Sequence, residues 1–316
     1  MPLILPPPRP SPAFPVLGPG QALPASLARP TVAIGNFDGV HRGHRHVLAA
    51  AKATGRPVVV MTFEPHPRSY FQPDVPLFRL TDAAGKARLL ASAGADGLAV
   101  LAFDAAMAGT SAEAFVDRLL VDWLGASTVV VGRDFHYGTR RAGNAETLRQ
   151  AGASKGFAVT EVAALDGPEG PISSSAIREA LSTGRVEAAN ALLGHAWFVT
   201  GPVIHGEKRG RELGYPTANI RLDAACGLAH GIYAVMVGID GTWHQGVASY
   251  GRRPQFDNGA PLLEVHVFDF AGNLYDKEVD VAFASYLRGE AKFDSLEALI
   301  GQMDDDSREA RKRLST

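Results

Sequence analysis

The strongest constraint on the fold is a change of pattern near residue 195. From Thr31 to Leu193, short runs that are apolar at successive positions alternate with amphipathic stretches. TVAIG (31–35), PVVVMTF (57–63), GLAVLAF (97–103) and STVVVG (127–132) lack the in–out alternation of half-exposed strands, so they read as parallel strands covered on both faces. Between them, 42–53, 81–92 and 111–123 carry apolar residues at helical spacing, and Thr110/Ser111 ahead of Glu113 and Phe115 marks a helix start. This alternation predicts an open, Rossmann-like α/β sheet whose ligands sit beyond the carboxyl ends of the strands. After residue 195 the helices drop out. WFVTGPVIH (197–205), GIYAVMVGI (231–239), TWHQGVAS (242–249), LLEVHVFDF (262–270) and EVDVAFA (278–284) predict a compact antiparallel barrel or sandwich. DSLEALIGQM (294–303), continued by polar residues to Leu314, predicts a C-terminal helix with Leu296, Leu299, Ile300 and Met303 on its buried side.

A length of 316 residues fits two such cores. The expected division is a proline-rich segment 1–30, an α/β domain 31–193 and a β domain 197–316. Ten of the 21 prolines fall in the first 30 residues, which favours an extended lead-in over a folded element. With 31 Lys+Arg against 33 Asp+Glu, the net charge of -2 offers no broad attraction to nucleic acid or an anionic membrane, so an anionic substrate must be held locally. The single cysteine, Cys226, can form no internal disulfide and no thiolate cage, in keeping with a reducing compartment. No apolar run approaches the ~20 residues of a membrane span. Prolines break the apolar start and no basic residue opens it, a poor secretory signal, so the expected location is cytoplasmic. Oligomeric state is not readable from the sequence.

Two constellations carry chemistry. GNFDGVHRGH (35–44) runs from a strand end into a helix. Gly35 and Gly39 permit a tight turn close to a ligand, and His41 and His44 are spaced to share one face of the first helical turn. The helix start presents free N–H groups and the positive end of its dipole, which suits a phosphate, and two imidazoles beside it can donate hydrogen bonds to phosphoryl oxygens. A pair of cap or surface histidines is the plainer alternative; zinc is weaker, since no third Cys or His ligand lies nearby. VGRDFHYG (131–138) places Asp134, Phe135 and Tyr137 at another strand end, and ISSSAIR (172–178) places Ser174 and Ser175 at a helix start with Arg178 in its first turns. In the β domain, GPVIHGEKRGRELGYPTANI (201–220) carries Gly206 and Gly210 in a loop that can approach phosphates, Arg209 and Arg211 as positive charge, and Thr217 and Asn219 as oxygen donors on alternate residues, a set that suits Mg²⁺ and a nucleotide. Glu264 lies within the apolar run PLLEVHVF (261–268), where it either faces water or, aimed at a substrate hydroxyl, serves as general base.

Taken together, GNFDGVHRGH, TFEPHPR (62–68), VGRDFHYG and ISSSAIR resemble the nucleotidyltransferase module of bacterial bifunctional riboflavin kinase/FMN adenylyltransferases, over about 31–190. The stretch 197–300, with PTAN, the later Glu and YLRGEAKFDS (286–295), resembles their riboflavin kinase module. The resemblance implies a Rossmann-like nucleotidyltransferase domain followed by a kinase β-barrel. It implies that His41 and His44 stabilise attack of the FMN phosphate on the α-phosphate of ATP, with Gly35, Phe37, Asp38 and Gly39 around the nucleotide. Ser174, Ser175 and Arg178 would hold the β/γ-phosphates. Phe63, Pro65, His66, Asp134, Phe135 and Tyr137 would line the flavin and nucleotide sites. In the kinase module Thr217 and Asn219 would bind Mg²⁺–ATP, Gly206, Gly210 and Arg211 would serve its phosphates, Glu264 would activate the ribityl hydroxyl, and Leu287 and Arg288 would lie over the flavin. The implied substrates are riboflavin, FMN and ATP, with Mg²⁺, and with FMN and FAD as products. Ser175 stands where the family often has Thr, Ser249 where it usually has Asn, and Gln255 where Thr usually follows Pro. Other HxGH transferases would not need the PTAN barrel. A regulator that binds flavin without turning it over is the alternative outside enzymes.

Overall fold

The computed structural model describes residues 3–11, 14–167, 169–205, 214–252 and 261–315. They form two compact units: one from Pro7–Leu77 with Asp82–Ser173, the other from the residues before Pro7, Phe78–Thr81 and the chain from Ser174 onward.

The first unit contains β1 (Val16–Leu17), β2 (Thr31–Ile34), β3 (Val58–Glu64), β4 (Gly97–Ala102), β5 (Thr128–Gly132), β6 (His136–Tyr137), β7 (Gly143–Asn144), β8 (Ala158–Val162), β9 (Asp166–Gly167) and β10 (Gly170–Pro171). Its helices are α1 (Arg42–Lys52), α2 (Pro67–Phe71), α3 (Ala83–Ser92), α4 (Ala105–Ala108), α5 (Ala112–Phe115) and α6 (Ala145–Lys155). One parallel sheet runs in the order β1-β4-β3-β2-β5-β8. The apolar runs form its centre because both faces are covered: on one, Val32, Val59, Met61, Leu101, Val129 and Val131 share a core with Phe115, Leu120 and Leu148, and on the other Ala33, Val58, Val60 and Val130 are buried. Ser111 caps α5 through its hydroxyl, which accepts the Ala114 N–H. The chain leaves β2 for β3 and β4 on one side and returns to β5 on the other, so the strand order reverses between β2 and β5. In open α/β sheets that switch point opens the ligand crevice.

The proline-rich start departs from a bare lead-in. It is extended, but Val16 and Leu17 pair with Leu98 and Ala99 and add an edge strand. A two-residue strand preceded by proline blunts the sheet edge against further pairing. Gly97 makes room for this segment, since a Cβ there would come within 2.7 Å of Leu27.

The second unit contains α7 (Ser174–Ser182), α8 (Val186–Leu193), β11 (Phe198–Ile204), β12 (Ala218–Arg221), β13 (Gly231–Ile239), β14 (Thr242–Arg252), β15 (Pro261–Val267), β16 (Glu278–Arg288) and the C-terminal helix Leu296–Leu314. Six antiparallel strands close a barrel in the order β11-β12-β15-β14-β13-β16. Ile177, Leu181, Val186 and Leu193 share its core cluster with Trp197, Tyr233 and Phe283. By packing, therefore, α7 and α8 belong with the barrel. The C-terminal helix also differs from expectation. Its buried residues are Asp306 and Ala310, while Leu296 is 52% exposed. Leu299 and Met303 line a cavity instead of filling a core. Among the described residues, no helix is long and apolar enough to cross a membrane.

Candidate active sites

The loop after β2 is built around two buried non-glycine residues at positive φ, Phe37 (48°) and Val40 (41°), with Gly39 between them at 81°. A β-branched residue in this region is strained, at a cost on the order of 1–3 kcal/mol, and burial of both side chains holds the turn in place. The turn delivers His41 to the N-cap of α1, where its Nδ1 accepts the His44 N–H at 3.3 Å. An Nδ1 that accepts a hydrogen bond leaves the ring proton on Nε2. The two imidazoles stack with centroids 3.6 Å apart, and the Phe37 ring lies 5.0 Å from His44. His44 Nδ1 is buried with no hydrogen-bond partner. Protonating it would strand a buried N–H, so the neutral Nε2–H form is favoured here too. Burial first, then the nearby His41 and Lys86, push His44 well below the ordinary imidazole value. The arrangement presents His41 and a neutral His44 as hydrogen-bond donors at a helix N-terminus.

A cavity of about 780 Å³ opens at the same sheet edge, lined by Gly35, Phe63, His66, Asp134, Phe135 and Tyr137 among others. Thus six of the sequence-predicted residues, drawn from three strand ends, meet around one space. Phe135 and Tyr137 stack at 5.6 Å, and Phe63 meets Phe103 edge to face at 5.8 Å. Flat apolar walls of this kind suit a fused aromatic ring system. Pro65, His41 and His44 are not among the lining residues. The predicted pattern also missed the basic rim, Arg68, Arg140 and Arg141, of which Arg141 lies 2.9 Å from His136 Nδ1.

Lys86 is a second omission. Its side chain is 4% exposed, and its Nζ is 2.7 Å from Glu64 Oε1. The signal was present in AAGKARLLAS, where Lys86 shares a helical face with Leu89 and Leu90, both buried.

On the barrel, strand register does the assembling. Glu264 of β15 lies opposite Asn219 of β12 on one side and Ser249 of β14 on the other. Ser249 pairs in turn with Ile232, and Ile232 with Arg288. Cross-strand partners share a face, so these side chains form one row. Along β15, Leu263, Val265 and Val267 point into the core, which turns Glu264 and His266 to the opposite face. There, Thr217, Ser249, Glu264 and Arg288 line a cavity of about 410 Å³, with Leu299, Met303 and Asp306 of the C-terminal helix across from them. Arg288 binds Asp306 with both arms, Nε–Oδ1 2.8 Å and Nη2–Oδ2 2.6 Å. Leu287, by contrast, packs with Ala234, Phe268 and Ala310 and is not a cavity residue.

In the barrel unit, Ser174 opens α7 and Ser175 is exposed beside it. Arg178 donates from Nε to the Phe78 carbonyl at 2.5 Å. Gly206, Gly210, Arg209, Arg211 and Gln255 lie outside the described residues.

The cavity offers hydroxyl and carboxylate oxygens from Thr217, Ser249 and Glu264, hard ligands of the kind that hold Mg²⁺ together with substrate phosphates, while Asn219, opposite Glu264 in the register, is buried and is not a lining residue. No group of three His, Cys, Asp or Glu able to bind a metal occurs among the described residues, so zinc-type ligation finds no support in the donor set.

Comparison with known proteins completes this description. Residues 24–176 match the FAD synthetase family model and residues 193–314 the riboflavin kinase model. A bifunctional riboflavin kinase/FMN adenylyltransferase of Pseudomonas fluorescens is 43% identical over 88% of this chain and 91% of its own. The chain belongs to this bifunctional family. Its Escherichia coli K12 member is 39% identical over the same shares. A solved structure from Streptococcus pneumoniae, described as a macrolide-efflux protein, matches with a TM-score of 0.84 at 30% identity, covering 94% of this chain and 98% of that one. That last likeness bears on the fold.

Proposed function

We propose that the barrel unit phosphorylates riboflavin to FMN and that the α/β unit joins FMN to the adenylyl group of ATP, releasing pyrophosphate. In the first reaction Glu264 takes the proton of the terminal ribityl hydroxyl, whose oxygen attacks the γ-phosphorus of ATP while the bond to the β-phosphate oxygen breaks and ADP leaves. Thr217 and Asn219 would hold Mg²⁺, which when bound offsets phosphate charge. Gly206, Gly210 and Arg211 are assigned to the phosphates through the family. Arg288 is placed over the flavin.

In the second reaction an FMN phosphate oxygen attacks the α-phosphorus of ATP and the α–β bridge breaks. His41 and His44 donate from Nε2 to the phosphoryl oxygens as charge builds there. Phe63, His66, Asp134, Phe135 and Tyr137 enclose flavin and nucleotide, and Ser174, Ser175 and Arg178 are assigned to the departing phosphates. The enzyme's proposed location is the cytoplasm.

One observation carries the reading: the paired imidazoles belong to one compact unit and the Asn219–Glu264–Ser249 row to the other. The test is chromatographic product analysis of the purified protein with ATP and Mg²⁺, first with riboflavin and then with FMN. FMN and ADP in the first case, and FAD and pyrophosphate in the second, are expected. Flavin binding without any of these products would overturn the reading.

A further inference from the structure

Lys86 is a buried ammonium that the two reactions above do not use. Replacing a buried ion pair with apolar side chains of similar size is often neutral or stabilising, so packing alone is a poor reason for a lysine here. Its partner, Glu64, is the last residue of β3. That strand end also holds the histidine loop: the Gly35 N–H donates to the Met61 carbonyl at 3.1 Å, and Thr62 Oγ1 donates to the Asn36 carbonyl at 3.1 Å. A line of contacts therefore runs from α3 through Lys86 and Glu64 to the backbone that precedes His41 and His44.

We propose that Lys86 is a positioning residue for adenylyl transfer, pinning the carboxyl end of β3 to α3 and so holding the histidine loop that this strand end supports. This rests on the α/β unit being the adenylyltransferase. The Lys86 ammonium has one further consequence: it opposes protonation of His44. Besides burial, the groups acting on His44 are His41 from its own loop and Lys86 from α3, the latter paired with Glu64. The unpartnered Nδ1 of His44 works in the same direction as Lys86.

The test uses the full-length protein with Lys86→Met, Lys86→Arg and Glu64→Gln. Each is assayed for FAD formation from FMN across pH, for FMN formation from riboflavin as the internal control, and by NMR titration of the His44 ring. Lys86→Met is expected to slow FAD formation at least about tenfold, to raise the His44 midpoint and move the acid limb upward with it, and to leave the kinase rate within about twofold. Lys86→Arg should retain most of the rate and the wild-type midpoint, because it keeps the charge. Glu64→Gln leaves the ammonium unneutralised, so it should lower the His44 midpoint further; this variant serves if Lys86→Met does not fold. Wild-type rate and midpoint in Lys86→Met, equal losses in both lysine variants with an unmoved midpoint, or an unmoved midpoint in Glu64→Gln would each overturn the proposal. A wild-type protein that makes no FAD would instead remove the adenylyltransferase reading, while the effect of Lys86 on the His44 titration would still be measurable.

Discussion

Gly43 has ordinary helical backbone, so its place is set by room. A Cβ there would stand 3.1 Å from the His41 ring and 3.4 Å from the Ile172 carbonyl. Alanine gains about 1 kcal/mol of helix propensity over glycine, which offsets the crowding in overall stability. The ring pair has no such compensation, because His41 must shift to admit the methyl group. Gly43→Ala is therefore expected to leave the melting temperature within a few degrees while lowering FAD formation about tenfold or more; FAD formed at the wild-type rate would show that the pair tolerates displacement. The state of His44 gives a pH prediction. Its folded value lies below the unfolded value of 6.5, so the unfolded chain binds more protons, and stability falls as pH drops from that value toward the folded one. FAD formation should persist below pH ~6.5 and fall on an acid limb that FMN formation does not share. A common limb for both activities would assign the titration to something other than His44. For Glu264, general base catalysis typically contributes roughly 10²- to 10⁴-fold. Glu264→Gln should suppress FMN formation by that order and spare adenylylation of supplied FMN, an outcome that unchanged FMN production would contradict.

At the scale of elements, the legible features were those written in periodicity. TVAIG, PVVVMTF, GLAVLAF and STVVVG became β2 to β5 because uninterrupted apolar runs need cover on both faces, and GNFDGVHRGH sat at the predicted strand-to-helix junction. β1 was not legible, since a two-residue strand beside prolines carries no period. Lys86 carried a signal in the buried face it shares with Leu89 and Leu90, but its partner did not: Glu64 lies 22 residues earlier, a separation that no local period spans. The C-terminal helix misled because its apolar residues do two jobs, with Leu299 and Met303 walling a cavity and Asp306 doing the anchoring. Asp306 is 8% exposed in its side chain and Arg288 25%, which places the pair between a surface bridge and a buried one. Asp306→Ala should cost about 2 kcal/mol of barrel stability and raise KM for riboflavin more than it lowers kcat, measured by denaturant titration and steady-state kinetics. An unchanged KM would mean that the helix contributes no wall to the working site.

At the scale of the molecule, each sheet carries its own set of polar groups. β2 and β5 carry the imidazoles and the aromatic cavity, while β12, β15 and β14 carry the amide, carboxylate and hydroxyl row. If FMN passes between the two sites by diffusion, a lesion at one site is mended by an intact copy of that site on another chain. His44→Ala should convert riboflavin to FMN and stop; Glu264→Gln should make FAD only from supplied FMN. Neither alone should yield FAD from riboflavin at more than a small fraction of the wild-type rate, but an equimolar mixture should, after a lag that shortens as protein concentration rises and FMN accumulates sooner. A mixture no better than the two proteins assayed separately, with each single defect confirmed, would mean that FMN must pass within one chain and that the units do not work as independent catalysts.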